Sequence, residues 1–167
     1  GNYAPTGNIN DFLKAIHYIT PNLIRTEADE LHYHRHIIIR YDIEKKLISN
    51  TLQINELEDY WNDQYKEKMS LHVTSPTHGL LQDVHWAHGG LGYFPTYTMG
   101  SIYAAELFDK MTEELPNMKE DIVSLDFSQV LNWLNKHIFS QGRKYESLEL
   151  MGKILGHPPI SSKLTDL

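Results

Sequence analysis

His85, Tyr93 and Tyr97 follow Asp83 inside one stretch, Gly79 to Ala105, and together they offer an imidazole, two phenols and a carboxylate. The stretch holds five of the ten glycines and three of the ten tyrosines, yet Asp83 is its one formally charged side chain. A solvated connection would be richer in Lys, Glu and Ser, because aromatic area left in water is unfavourable. The stretch is therefore expected to be buried or to line a cleft. Gly89, Gly90 and Gly92 let the backbone turn through positive φ or pass close to a ligand, and the His and Tyr side chains carry polar atoms on apolar bodies. If Asp83-Val84-His85 is extended, its two polar side chains share one side and the carboxylate can fix the imidazole tautomer. The same pair could equally satisfy loop amides.

A second set lies upstream. Arg25, Asp29, His32 and His36 are spaced four, three and four apart, so on one helix they would form a single ionisable stripe. Facing solvent, an Arg25–Asp29 pair is worth about 0.3–0.5 kcal/mol. Facing a cleft, it could orient an anionic ligand. His34 is rotated roughly 160° away from His32 and His36, so only two of these three histidines share a face. Zinc peptidases place a Glu after the first of two such histidines, and here no His is followed by Glu. A small metal-binding protein built on His32 and His36 would need a third ligand that the chain does not suggest. Cysteine is absent and no Gly-x-Ser-x-Gly elbow is present, which excludes a Cys acyl-enzyme and gives a Ser one little support.

These residues need helices to hold them. Residues 1–8 read as a polar, poorly held lead-in. Asn10 or Asp11 can cap a short helix through Tyr18, ended by Thr20-Pro21. Asn22 is expected to cap a long central helix over 23–49, which has neither Pro nor Gly and carries apolar residues on more than one side. Further helices are predicted over 55–69, from 95–100 to 114, over 127–139 behind an Asp126 cap, and over 146–155 before Gly156. Within 127–139, Phe127, Val130, Leu131, Leu134 and Ile138 mark the expected core face. The fold class is all-α, a single helical domain over 1–167 with a long central helix and a long glycine- and aromatic-rich loop.

At 167 residues the chain can bury a core without staples, and its net charge of −7, with scattered Lys and Arg, argues against nucleic acid as a partner. Neither a basic, apolar leader nor a run near the ~18 apolar residues of a membrane span is present, so a soluble, cytoplasmic protein is expected.

Two longer motifs add to the residue chemistry. Ile24-Arg25-Thr26-Glu27-Ala28-Asp29 matches Ile-Arg-x-x-Ala-Asp, and Gly79-Leu80-Leu81-Gln82-Asp83-Val84-His85-Trp86 matches Gly-x-x-Gln-Asp-x-His-Trp. In both, and in Gly92-Tyr93-Phe94-Pro95-Thr96-Tyr97-Thr98, Ala104-Ala105 and the 137–155 region, the chain resembles the M32 metallocarboxypeptidases of the carboxypeptidase Taq type. It departs from them at Leu91, where an aromatic is common, and at Ser101 and Glu106, where amides are common.

The resemblance implies an all-helical, usually dimeric enzyme that removes single residues from peptide C-termini with zinc or another divalent ion. In the family a His-Glu-x-x-His helix and a later glutamate, all preceding Ile-Arg-x-x-Ala-Asp, bind the metal, and this sequence has none of them. The chain thus looks like the C-terminal, substrate-binding part, with no metal ligands and no activity alone. The implied catalytic residues are His85 and Tyr97, either of which would stabilise the oxyanion. Arg25 would grip the free α-carboxylate with two hydrogen bonds, and Asp29, Asp83 and Tyr93 complete the substrate-binding set, with Asp83 orienting His85. Peptides with a free C-terminus and a second copy of the full-length enzyme are the implied partners. The competing expectation is a non-catalytic helical interaction or dimerisation module that docks through its aromatic loop.

Overall fold

A computed structural model describes residues 8–160; all of the expected lead-in over 1–8 except Asn8 lies outside them. The described residues are helical with no strand, as expected, and the chain divides into two compact units between Tyr97 and Thr98. Each unit is described by itself.

In the first unit, α1 spans Ile9–Ile16. Its cap is Asn8, not Asn10 or Asp11: the Asn8 carboxamide accepts the Asn10 N–H at 3.0 Å. The long helix also starts later than its pattern suggests. Asn22 instead accepts the Ile24 N–H and sets up a 3-10 turn over Arg25–Glu27, after which Ala28 is extended. Asp29 then caps α2, Glu30–Ile48, by accepting from Leu31 N–H at 3.0 Å and His32 N–H at 2.8 Å. A carboxylate at a helix N-terminus satisfies orphan amides and meets the favourable end of the macrodipole. Arg25 is therefore off the helix, and the four-residue stripe does not exist.

The helix α3, Leu57–Met69, follows a capping box in which Glu56 accepts the Gln53 N–H. It turns Leu57, Trp61, Tyr65 and Met69 onto Ile39 and Ile43 of α2, and with Leu52 these form the core of the unit. Each such aliphatic side chain contributes about 1.5–3 kcal/mol by leaving water. Trp61 stacks on Tyr65 at 4.9 Å between ring centres, and Trp86, beyond the loop, meets Trp61 edge-on.

Helix α4, Pro95–Glu114, leads into the second unit. There a short helix that the pattern did not reveal, α5 at Met118–Val123, places Met118 beside Met111 and Trp133. Helix α6 spans Ser128–His137, with Asp126 accepting the Ser128 N–H as expected of a cap. Its core face is Val130, Trp133 and Leu134, whereas Phe127 and Leu131 are exposed. The large indole, whose N–H donates to Glu114 at 2.7 Å, wins the inner position over the aliphatic register. Helix α7, Ser147–Leu155, ends at left-handed Gly156, and buried Glu106 of α4 accepts the Ile160 N–H at 2.7 Å.

Candidate functional site

Gln82 joins the Arg25 turn to the glycine-rich loop. Its carbonyl accepts the Arg25 N–H at 2.8 Å, and its amide donates to the Leu23 and Gly79 carbonyls, both at 3.1 Å. Gly79 is needed there because a Cβ would sit 2.6 Å from the Val73 methyl. With the loop held, Asp83 projects between two guanidinium groups. Arg25 donates to Oδ1 from Nε at 3.1 Å and Nη2 at 2.8 Å. Arg40 donates from Nε to Oδ2 at 2.8 Å, and its Nη2 makes an ion contact with the same oxygen at 2.6 Å.

The cluster is buried. Arg40 has no exposed surface; its Nη1 donates to the His36 carbonyl and the Tyr65 hydroxyl, and its charge lies 4.7 Å from the Trp61 ring centre and 5.2 Å from that of Phe94. Arg25 donates from Nη1 to Tyr33 and faces the Tyr97 ring at 5.1 Å. Burial pushes the Asp83 carboxyl up, but the Arg25 hydrogen bond and the Arg40 charge outweigh it and hold the group below the ordinary carboxylate range. Two guanidinium charges share one carboxylate, so the cluster keeps an excess positive charge.

His85 is not oriented by Asp83. The Val84-His85 backbone turns into a 3-10 segment at Trp86–His88 instead of staying extended, and His85 Nδ1 stands 4.0 Å from Asp83 Oδ1 with no hydrogen bond. The other nitrogen, Nε2, meets the Tyr97 hydroxyl at 2.8 Å. Phe94 and Tyr93 hold the ring, with centres 4.5 and 5.6 Å away, and half of Tyr93 remains exposed. Left-handed Gly89 and the close pass of Gly90 over the His85 carbonyl complete this turn. Burial raises the Tyr97 hydroxyl, and the nearby Tyr93 adds to that, so it stays a neutral hydrogen-bonding group.

Arg25 does not pair with Asp29. The Asp29 carboxylate bonds His32 Nδ1 at 2.8 Å and the Thr20 N–H at 2.9 Å besides the helix amides. His36 bonds Tyr65 through Nδ1 and is pushed down to about 4, first by burial and then by the Arg40 charge. Among the described residues no three His, Asp or Glu side chains converge to hold a metal ion, and His36 is committed to the core. The described residues thus do not fit the metal that a metallopeptidase requires.

Arg25, Asp83, Tyr93, His85 and Tyr97 are brought together as a connected group, and Asp29 stands apart from it in its bonding. The sequence reading gives no site role to Arg40, Gln82, Tyr65 or Phe94. For Arg40 a signal was present: a guanidinium directly after Ile37-Ile38-Ile39, four residues from His36 and from Glu44. Glu44 is buried too and accepts the Trp86 indole N–H at 2.7 Å.

The model of the carboxypeptidase Taq (M32) metallopeptidases matches residues 3–166. Carboxypeptidase 1 of Bacillus subtilis (strain 168) is 39% identical over 149 residues, which cover 89% of this chain and 30% of that protein. Thermostable carboxypeptidase 1 of Pyrococcus furiosus is 34% identical over 155 residues, 93% of this chain and 30% of its own length. The solved structure of CHT superposes with a TM-score of 0.92 at 44% identity, over 96% of this chain and 33% of that one. The chain therefore spans about a third of the length of the proteins it matches. With the family model covering nearly every residue and the helical fold shared, the chain belongs to the carboxypeptidase Taq (M32) metallopeptidase family.

Proposed function

We propose that this chain is the substrate-binding portion of a cytoplasmic, homodimeric metallocarboxypeptidase that releases single residues from peptide C-termini. The observation that carries the reading is the buried Arg25–Asp83–Arg40 cluster, with its excess positive charge beneath His85 and Tyr97. Asp83 and Tyr33 occupy three of the guanidinium N–H bonds of Arg25, and those left at the end of the fork suit a planar carboxylate. Either the His85 Nδ1–H or the Tyr97 hydroxyl would donate toward an oxyanion, depending on which of the two gives its proton to the bond they share, a role worth about 2.7–4 kcal/mol where such donors have been removed. Tyr93, half exposed beside His85, acts as a flanking substrate contact, and Asp29, expected in the same role, serves the site through the cap it makes on α2. Zinc or another divalent ion would supply the activated water, and its ligands come from outside this chain. The family model runs across both compact units, which supports treating them as one functional piece.

The test is calorimetric titration of the chain with a blocked dipeptide bearing a free C-terminus and with its C-terminal amide. The acid should bind, the amide should not, and Arg25→Lys should weaken the acid tenfold or more by losing the fork geometry. Equal binding of acid and amide would end the reading, as would release of C-terminal residues by the chain alone in a chelator-sensitive way.

A further inference from the structure

Two side chains of α2 reach the glycine-rich loop, one on each side of His85. Arg40 Nε donates to Asp83 Oδ2 at 2.8 Å, and Glu44, about one turn farther along the helix, accepts the Trp86 indole N–H through Oε1 at 2.7 Å. Between these anchors Val84 is 64% exposed, so its burial does not place the segment. Asp83 makes no hydrogen bond to His85, and the first anchor therefore leaves the imidazole unguided. The second is tied to it closely. His85 directly precedes Trp86, its carbonyl accepts the Gly90 N–H at 2.8 Å, and the Trp86 carbonyl accepts the Gly89 N–H at 3.0 Å. The indole also meets Phe94 edge-on at 5.9 Å, and Phe94 packs on the His85 ring at 4.5 Å. An indole N–H can only donate, so its bond to Glu44 fixes which edge of Trp86 turns toward α2.

We propose that Glu44 is a positioning residue for His85, acting through the Trp86 indole to hold the imidazole against the Tyr97 hydroxyl. Its bearing on the reaction rests on the functional reading above, in which that pair donates toward an oxyanion. The chemistry of Glu44 favours placement over stability. The residue is 2% exposed and its Oε2 has no hydrogen-bond partner among the described residues, so a single bond to Trp86 is set against the removal of a carboxyl group from water. An apolar side chain of similar volume would fill the same space without that cost. What it could not do is hold the indole in one orientation. Nor does this core demand an acceptor for every indole: Trp61, edge-on to Trp86 at 6.1 Å, keeps its own buried Nε1 without a partner.

Nitrogen NMR of the full chain tests this. The Trp86 indole signal reports the bond to Glu44, and the His85 ring nitrogens report the tautomer ratio and with it the bond to Tyr97. Glu44→Leu should move that ratio about fivefold, the equivalent of one net hydrogen bond. Glu44→Gln, whose amide oxygen can accept the indole N–H, should keep both the indole signal and the ratio. Ile43→Val, a truncation of the same core at the neighbouring position, should lower the melting temperature and leave the ratio alone. Glu44→Met, which also lacks an oxygen acceptor, takes the place of Glu44→Leu if that variant does not fold. A ratio unmoved in the apolar variant, moved as far by Ile43→Val, or moved in Glu44→Gln with the indole signal intact overturns the proposal. Titration with the blocked dipeptide acid is read separately: an acid that fails to bind the wild-type chain counts against the functional reading, whereas the His85 comparison decides the role of Glu44.

Discussion

His85 and Tyr97, twelve residues apart, are joined through Nε2 by a 2.8 Å hydrogen bond, and the other ring nitrogen has no partner. Tyr97 thus holds the His85 ring in place through its one hydrogen bond. In Tyr97→Phe the imidazole loses its one hydrogen bond, and nitrogen NMR should show a changed tautomer balance with a stability loss of about 1 kcal/mol. Asp83→Gln or Asp83→Asn should leave the tautomer where it is; a shift in either would restore Asp83 as the orienting group.

The larger effect of Asp83 is on the fold. Removing its charge leaves two buried guanidinium groups uncompensated, and breaking such a pair costs about 3–5 kcal/mol. Urea melts of Asp83→Asn at neutral pH measure this. The carboxyl is held below its unfolded value, so its contribution is present above about pH 4 and is lost as the pH falls through the lower folded value. Wild type should therefore lose more stability than the variant on acidification through that range.

His36 contributes an earlier acid sensitivity. Its folded pKa of about 4 lies below the ordinary value of 6.5, so between these limits the unfolded chain binds a proton that the folded chain does not. Stability should fall from pH 6.5 toward 4, by about 3 kcal/mol at most from this group. His36→Gln should flatten that segment, measured by chemical denaturation at half-unit intervals.

Gly79→Ala tests the loop anchor. The added methyl meets a β-branched Val73 side chain and approaches Trp61, and overpacking of this kind costs about 1–3 kcal/mol. A thermal melt unchanged from wild type would mean that the loop shifts freely, and with it the placement of His85.

Where helices end was legible when one residue type settled the matter. Gly156 ends α7 because it tolerates the left-handed turn there, and Asp126 marks the start of α6 by a side chain acting two residues on. Asn22 reads as the cap of the long helix, and that Asp29 caps it instead depends on Gln82 and Asp83, nearly sixty residues on, which draw Arg25 into a turn. The inner face of α6 was hidden for a similar reason, because two overlapping apolar registers share Val130 and Leu134 and the partner for the Trp133 indole comes from α4. Within the site, residue types and their order carried most of the composition. The pairing did not follow, because spacing along the chain puts Asp83 nearest His85 while the strongest charges come from two other segments.

The three tryptophans are divided between the compact units, Trp61 and Trp86 in one and Trp133 in the other. Replacing Trp133 by Phe makes indole emission a report from the residues beneath the Arg25–Asp83–Arg40 cluster alone, and an optical melt of that variant, set beside one retaining Trp133, tells whether the two units lose their structure in one step or in sequence.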